Sequence, residues 1–207
     1  MRLAWLTWLA FFLLSSAVAR ASEPAGQLAE APILVVYESR SGHTKRFAEA
    51  VVEGIVSVEG TRVLARSVDE VEDTQILDAA GIVLGCPVHW GGASAGSKLF
   101  AERLGALLLR EKQLGEGATA PLRTAGAFVT GGAESSGKEL ARLDILASFL
   151  NLKFVVVGGE AADGFGTLGA QATTGPGDPG LSAEELDRAR IFGRRFARVT
   201  RSVWQSR

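Results

Sequence analysis

The chain has 207 residues, 22 basic and 23 acidic, for a formal net charge of −1, and 47% of it is apolar. That composition excludes a disordered tail, a collagen-like repeat and a disulfide framework, and it leaves no basic excess for a polyanion binder working through bulk charge. The apolar residues are unevenly spread: 16 of the first 21 are apolar, and that stretch contains neither Lys nor any acidic residue.

After a basic start at Met1-Arg2, residues 3–19 carry no charge, and small residues at Ala19 and Ala21 flank Arg20. This pattern reads as a signal peptide over residues 1–21, with export to a periplasmic or secreted location. A helix over those 17 uncharged residues would span roughly 26 Å, short of a ~30 Å hydrocarbon core. The other reading is a retained N-terminal anchor, which would hold the domain beside a membrane. Without residues 1–21 the chain keeps 186 residues and a net charge of −3, because Arg2 and Arg20 leave with the segment. That length suits one domain. The single Cys, Cys86, cannot form an internal disulfide.

Residues 22–31 are polar and Ala-rich and read as a flexible leader, and the domain is expected over 32–207. Ile33 to Tyr37 is a continuous apolar run, the mark of a strand buried on both faces. Phe47, Ala48, Val51, Val52 and Ile55 then recur at helical spacing. Thr61 to Ala65 and Gly81 to Gly85 read as the second and third strands, and Lys98 to Leu109 as a helix. Ala125 to Val129 reads as the fourth strand. Leu140, Leu143, Ala147 and Leu150 form the apolar stripe expected to bury the next helix, and Phe154 to Val157 is the fifth strand. Residues 158–180 hold eight Gly in 23 positions and read as a long loop. Ser182-Ala183-Glu184-Glu185 is a capping box that opens a last helix. In that helix Leu186, Ala189, Phe192, Phe196, Val199 and Val203 share one face, and arginines cover the rest as a solvated surface. Strand and helix alternate, so the expected fold is α/β: a doubly wound, five-stranded parallel sheet in a three-layer α/β/α sandwich.

Ligands of such sheets bind beyond the carboxyl ends of the strands. The loop after strand one reads Ser39-Arg40-Ser41-Gly42-His43-Thr44 and runs into a helix. Hydroxyls, a Gly and the free N–H groups of a helix start suit a phosphate. The loop lacks the Gly-Lys-Ser/Thr of a triphosphate site. After strand three comes Pro87-Val88-His89-Trp90-Gly91, whose Trp between a His and a Gly suits stacking on a planar ligand. After strand four comes Thr130-Gly131-Gly132-Ala133-Glu134-Ser135, rich in hydroxyls and backbone N–H groups. No metal-ligand set is evident, and Cys86, between a strand and Pro87, reads as buried packing. Gly164 to Gly169 fits G-x-G-x-x-G, but prolines follow it and no helix starts in it, so the match is expected to be chance.

These residues carry a family resemblance. Ser39-x-x-Gly42-x-Thr44 resembles the FMN phosphate loop of flavodoxin-like proteins. From Ile33 to about Val199 the chain resembles the NAD(P)H:quinone oxidoreductases of the tryptophan-repressor-binding-protein type. Pro87, Trp90 and Gly91 match that family's Pro-x-x-aromatic-Gly, Thr130 to Gly137 its Gly-rich loop, and Gly164 to Leu186 its Gly-rich lead into a Ser-x-x-Glu-Leu helix. The resemblance implies non-covalent FMN, with its phosphate on Ser39 to Thr44 and its ring flanked by Pro87 to Gly91 and Thr130 to Ser135. It implies NADH or NADPH as donor, a quinone or other small electron acceptor, no nucleic-acid partner and a homo-oligomer. The flavin would supply the chemistry, so no side chain is assigned a catalytic role. Two other functions fit the same residues: an exported one-electron carrier, and a flavin-free binding module of the same fold. The segment between strands two and three, 66–80, is short where that family carries an insertion.

Overall fold

The computed structural model describes residues 30–115, 120–175 and 177–206. The expected signal segment, 1–21, and leader residues 22–29 lie outside the described residues. Of the expected leader, Ala31 is already fully buried in the first strand.

The elements alternate as expected. β1 (Ala31–Tyr37), α1 (His43–Val56) and β2 (Thr61–Ser67) are followed by α2 (Asp73–Asp78) and β3 (Gly81–His89). After β4 (Gly92–Ala93) come α3 (Ala95–Arg110), β5 (Thr124–Gly131), α4 (Lys138–Asn151) and β6 (Val155–Val156). β7 (Gly159–Glu160), β8 (Gly166–Thr167), β9 (Ala170–Thr173) and α5 (Ala183–Gln205) complete the order. The main sheet runs β2-β1-β3-β5-β6 and those pairs are parallel. The order reverses beside β1, which places the switch point between β1 and β3.

Both faces of the sheet are covered, which is why β1 reads as an unbroken apolar run. Ile33 and Val35 pack with Phe47, Phe128, Phe192 and Phe196 under α1 and α5. Leu34 and Val36 pack with Leu84, Phe100, Ile145 and Phe149 under α3 and α4. Helices α1 and α5 meet almost backbone to backbone. A Cβ on Gly193 would lie 2.1 Å from the Val51 carbonyl oxygen, and one on Gly54 2.1 Å from that of Arg190.

Four sequence expectations are corrected. The stripe Leu140, Leu143, Ala147, Leu150 faces solvent, not the core. α4 instead buries Ala141, Ile145, Leu146 and Phe149, together with Lys138 and Arg142. Helical spacing fixes the rows of a helix but not which row turns inward, and two cations in the buried row made it look like the outer one. The fifth strand shrinks to Val155–Val156, beside Thr124 and Ala125. β9 takes over its place further along, pairing Ala170–Thr173 with Phe128–Gly131. With β4, these make a seven-stranded sheet around the five-strand core. The expected loop 158–180 therefore contains a strand of the main sheet and the β7–β8 hairpin. Finally, α2 and β4 are short elements that the apolar pattern did not reveal.

The capping box on α5 forms as read: Ser182 Oγ accepts from the Glu185 N–H, and Glu185 accepts from the Ser182 N–H at 2.9 Å. The arginines of α5 pair within the chain: Arg188 with Glu184, and Arg190 with both Glu53 and Asp187.

Candidate functional site

Three loops gather at the carboxyl end of the sheet. The first leaves β1 and enters α1. Gly42, at φ 93°, is the N-cap residue and offers no side chain, and among the described residues only Ser39 reaches in, its Oγ accepting from the Lys45 N–H at 3.1 Å. A helix start with this little capping keeps N–H donors and positive dipole for an anion. Arg40 and Ser41 are exposed and His43 is half-buried. Thr44 points inward, and its hydroxyl meets that of Thr130 at 2.8 Å in a buried hydrogen bond. That bond ties the first loop to the end of β5.

The segment after the third strand is not a loop as expected. β3 continues through Pro87, Val88 and His89, and turns back at Trp90-Gly91 into β4. Trp90 (φ 53°) and Gly91 (φ 83°) both adopt left-handed backbone, as a two-residue type I′ hairpin requires. A bulky residue there is an outlier, and the Trp90 ring is fully exposed. An apolar ring is thus held in strained backbone at a hairpin tip, exposed among the described residues. Beneath it, Cys86 is fully buried, and burial pushes its thiol pKa up, so it stays a neutral packing group.

The third segment, Thr130 to Gly137, leaves β5. Thr130 and Gly131 are buried, while Gly132, Ala133, Glu134 and Ser135 are exposed. Gly137, at φ 87°, is the N-cap of α4, and a Cβ there would fall 2.2 Å from the Gly91 carbonyl oxygen. The second and third segments are thus locked together through two glycines. All three expected segments share one edge.

The structure adds residues that the sequence did not mark. Lys138 is 3% exposed and donates to the Ala133 carbonyl at 3.0 Å and to the Thr173 hydroxyl, folding the third loop over itself. Asp178 lies 2.7 Å from His43 Nε2, linking the first loop to the segment before α5. Glu38 accepts from the Ser94 hydroxyl and sits against the start of α3. The one sequence signal for Lys138 was its place directly after Gly137; Asp178 lay in a segment read as loop. A cleft of about 560 Å³ opens between Ala133, Glu134 and residues 173–175 and 179–182.

Glu185 closes that cleft. Burial pushes its carboxyl up, but hydrogen bonds from the Thr173 N–H, the Ser182 N–H and the Ser182 hydroxyl, with the nearby Lys138 charge, together hold it below its ordinary value of 4.5. A depressed folded-state value stabilises the fold above about pH 4.5 and is lost as pH falls through it. Glu185→Gln is therefore expected to melt lower at neutral pH and to lose less stability on acidification. Melting curves from pH 7 to pH 3 test this, and parallel acid limbs for the two proteins would refute it.

Comparison with known proteins agrees with this geometry. No family model matches the chain. A flavodoxin of Aquifex aeolicus is 36% identical over 168 residues, covering 80% of this chain and 84% of its own. An NAD(P)H dehydrogenase (quinone) of Paracoccus denitrificans is 26% identical over 204 residues, covering 83% and 94%. Among solved structures, a WrbA-like flavodoxin from Agrobacterium tumefaciens superposes with a TM-score of 0.64 at 23% identity, covering 84% of this chain and 99% of its own. The chain belongs to the flavodoxin-like family, and its relatives at about 25% identity are named as oxidoreductases.

Proposed function

We propose that the chain binds FMN non-covalently and passes electrons from NADH or NADPH to a quinone or another small acceptor. The observation that carries this reading is the pairing, on one edge of the sheet, of a helix start without a side-chain cap on its N-cap residue and a fully exposed Trp90 held in left-handed backbone. The donor set suits a phosphate monoester, and the open ring suits a planar heterocycle. The relatives named NAD(P)H dehydrogenase (quinone) support the donor and acceptor classes.

FMN would supply hydride acceptance and electron release when bound. The amides of α1, with Ser39 and Ser41, would hold its phosphate. Trp90 would cover one face of the ring, and the Gly132–Ser135 backbone would border its edge. The Thr44–Thr130 bond and Lys138 fix where those loops stand, so orientation is set before any ligand arrives. None of these groups is required to move a proton.

Titration of the full chain with FMN, followed by flavin fluorescence, tests the reading: quenching at a 1:1 ratio supports it, and unquenched fluorescence overturns it. Trp90→Ala should weaken FMN binding by roughly tenfold, the worth of about 1.4 kcal/mol of lost stacking; unchanged affinity would remove Trp90 from the site. The relative named flavodoxin supports a second reading, a one-electron carrier. Mixing the FMN-loaded protein with NADH or NADPH in a stopped-flow cell separates the two. A reductase bleaches the flavin, and a carrier leaves it oxidised.

A further inference from the structure

A second groove lies beside the third loop, between α4, α5, the β7–β8 hairpin and β9. Its volume is about 590 Å³, and none of its lining residues belongs to 39–44, 87–91 or 130–135. Arg142 lines it. The Arg142 side chain is only 4% exposed, yet its charge is poorly matched. One guanidinium nitrogen donates to the Gly169 carbonyl at 3.2 Å, another lies 3.6 Å from the largely exposed Glu139 carboxylate, and among the described residues Nε has no partner. Gln171 lines the same groove, and its buried Oε1 is also without a partner among the described residues. Arg188 stands at the wall.

Burying a guanidinium without full pairing costs stability, and an apolar residue of equal volume would serve packing better. Burial accordingly pushes the Arg142 pKa down. Two polar side chains in one groove, each with one unpartnered atom among the described residues, are the complement of a missing ligand. A guanidinium offers forked donors to a planar or tetrahedral anion. Half a turn of the Gln171 amide presents its NH2 group beside them.

We propose that this groove is a second ligand site, which takes a small carboxylate or phosphate anion on Arg142 with Gln171 as the neighbouring donor. The anion completes the hydrogen bonding that Gly169 and Glu139 leave unfinished.

The test reads Arg142 directly. In ¹H–¹⁵N spectra of the full chain with FMN present, the Arg142 Nε–H signal is assigned by its disappearance in Arg142→Lys. Sodium phosphate and sodium acetate are then titrated separately at constant ionic strength. The signal is expected to shift saturably with at least one of them, with a midpoint on the order of 1 mM, while other arginine signals stay in place. A shift with phosphate alone assigns a phosphate ligand, and one with acetate alone a carboxylate. Arg142→Met should melt at or above the wild-type temperature without anion and lose the anion-induced rise. An unmoved Arg142 signal, or equal drift of all arginine signals, overturns the proposal. Because the readout sits on Arg142, failure of FMN to bind would leave this result intact.

Discussion

Gly137→Ala is expected to weaken FMN binding by about 100-fold while leaving the protein folded. The new methyl group would stand 2.2 Å from the Gly91 carbonyl oxygen, inside any allowed contact, and Gly137 holds φ at 87°. Left-handed backbone costs a non-glycine residue about 1–2 kcal/mol. Relief of the overlap must come from the Trp90-Gly91 turn or from the Gly132–Ser136 loop, because the buried body of α4 cannot retreat. Together these effects amount to roughly 3 kcal/mol, and each 1.4 kcal/mol is tenfold in affinity. Fluorescence titration of the variant checks this. A dissociation constant within twofold of wild type would show that the two loops are not held in register by this contact.

Gly193→Ala is expected to lower the stability of the whole domain by about 3 kcal/mol, at the upper end for overpacking. Its methyl group would meet the Val51 carbonyl at 2.1 Å, and the reciprocal approach of Gly54 to Arg190 leaves α5 no room to slide. For a domain of this size the melting temperature should fall by roughly 6–12 °C. Since α1 carries the first loop at its amino end, flavin affinity should fall with it. An unchanged melting temperature would mean that α1 and α5 are free to separate without loss.

The alternation of strands and helices was legible because it rests on local physics. β1, β3 and β5 are apolar on both faces, and no other element type satisfies such runs when they are this short. The α5 start was legible because Ser182 and Glu185 complete each other's backbone bonds within four residues. The position of the three candidate segments at one end of the sheet was legible because they follow those strands. What stayed hidden depends on long-range contacts. The inward row of α4 carries Lys138 and Arg142, and only the loops they reach, through Ala133 and Gly169, justify burying them. β9 is short and Ala-rich, and it becomes a strand because β5 offers an open edge at Phe128–Gly131. The strained backbone at Trp90 has no sequence signature beyond the Gly that follows it.

The shared fifth position of the sheet also bears on how the protein behaves in a crowd. A sheet edge displays unpaired N–H and C=O groups that can template a strand from another chain. On one side the edge is broken into two residues of β6 and four of β9, with the β7–β8 hairpin interposed. On the other side, the seven-residue edge strand β2 carries Arg62 and Arg66. One edge is defended by interruption and the other by charge, so a sheet with two open sides offers a neighbouring molecule no long, uncharged strand on which to grow.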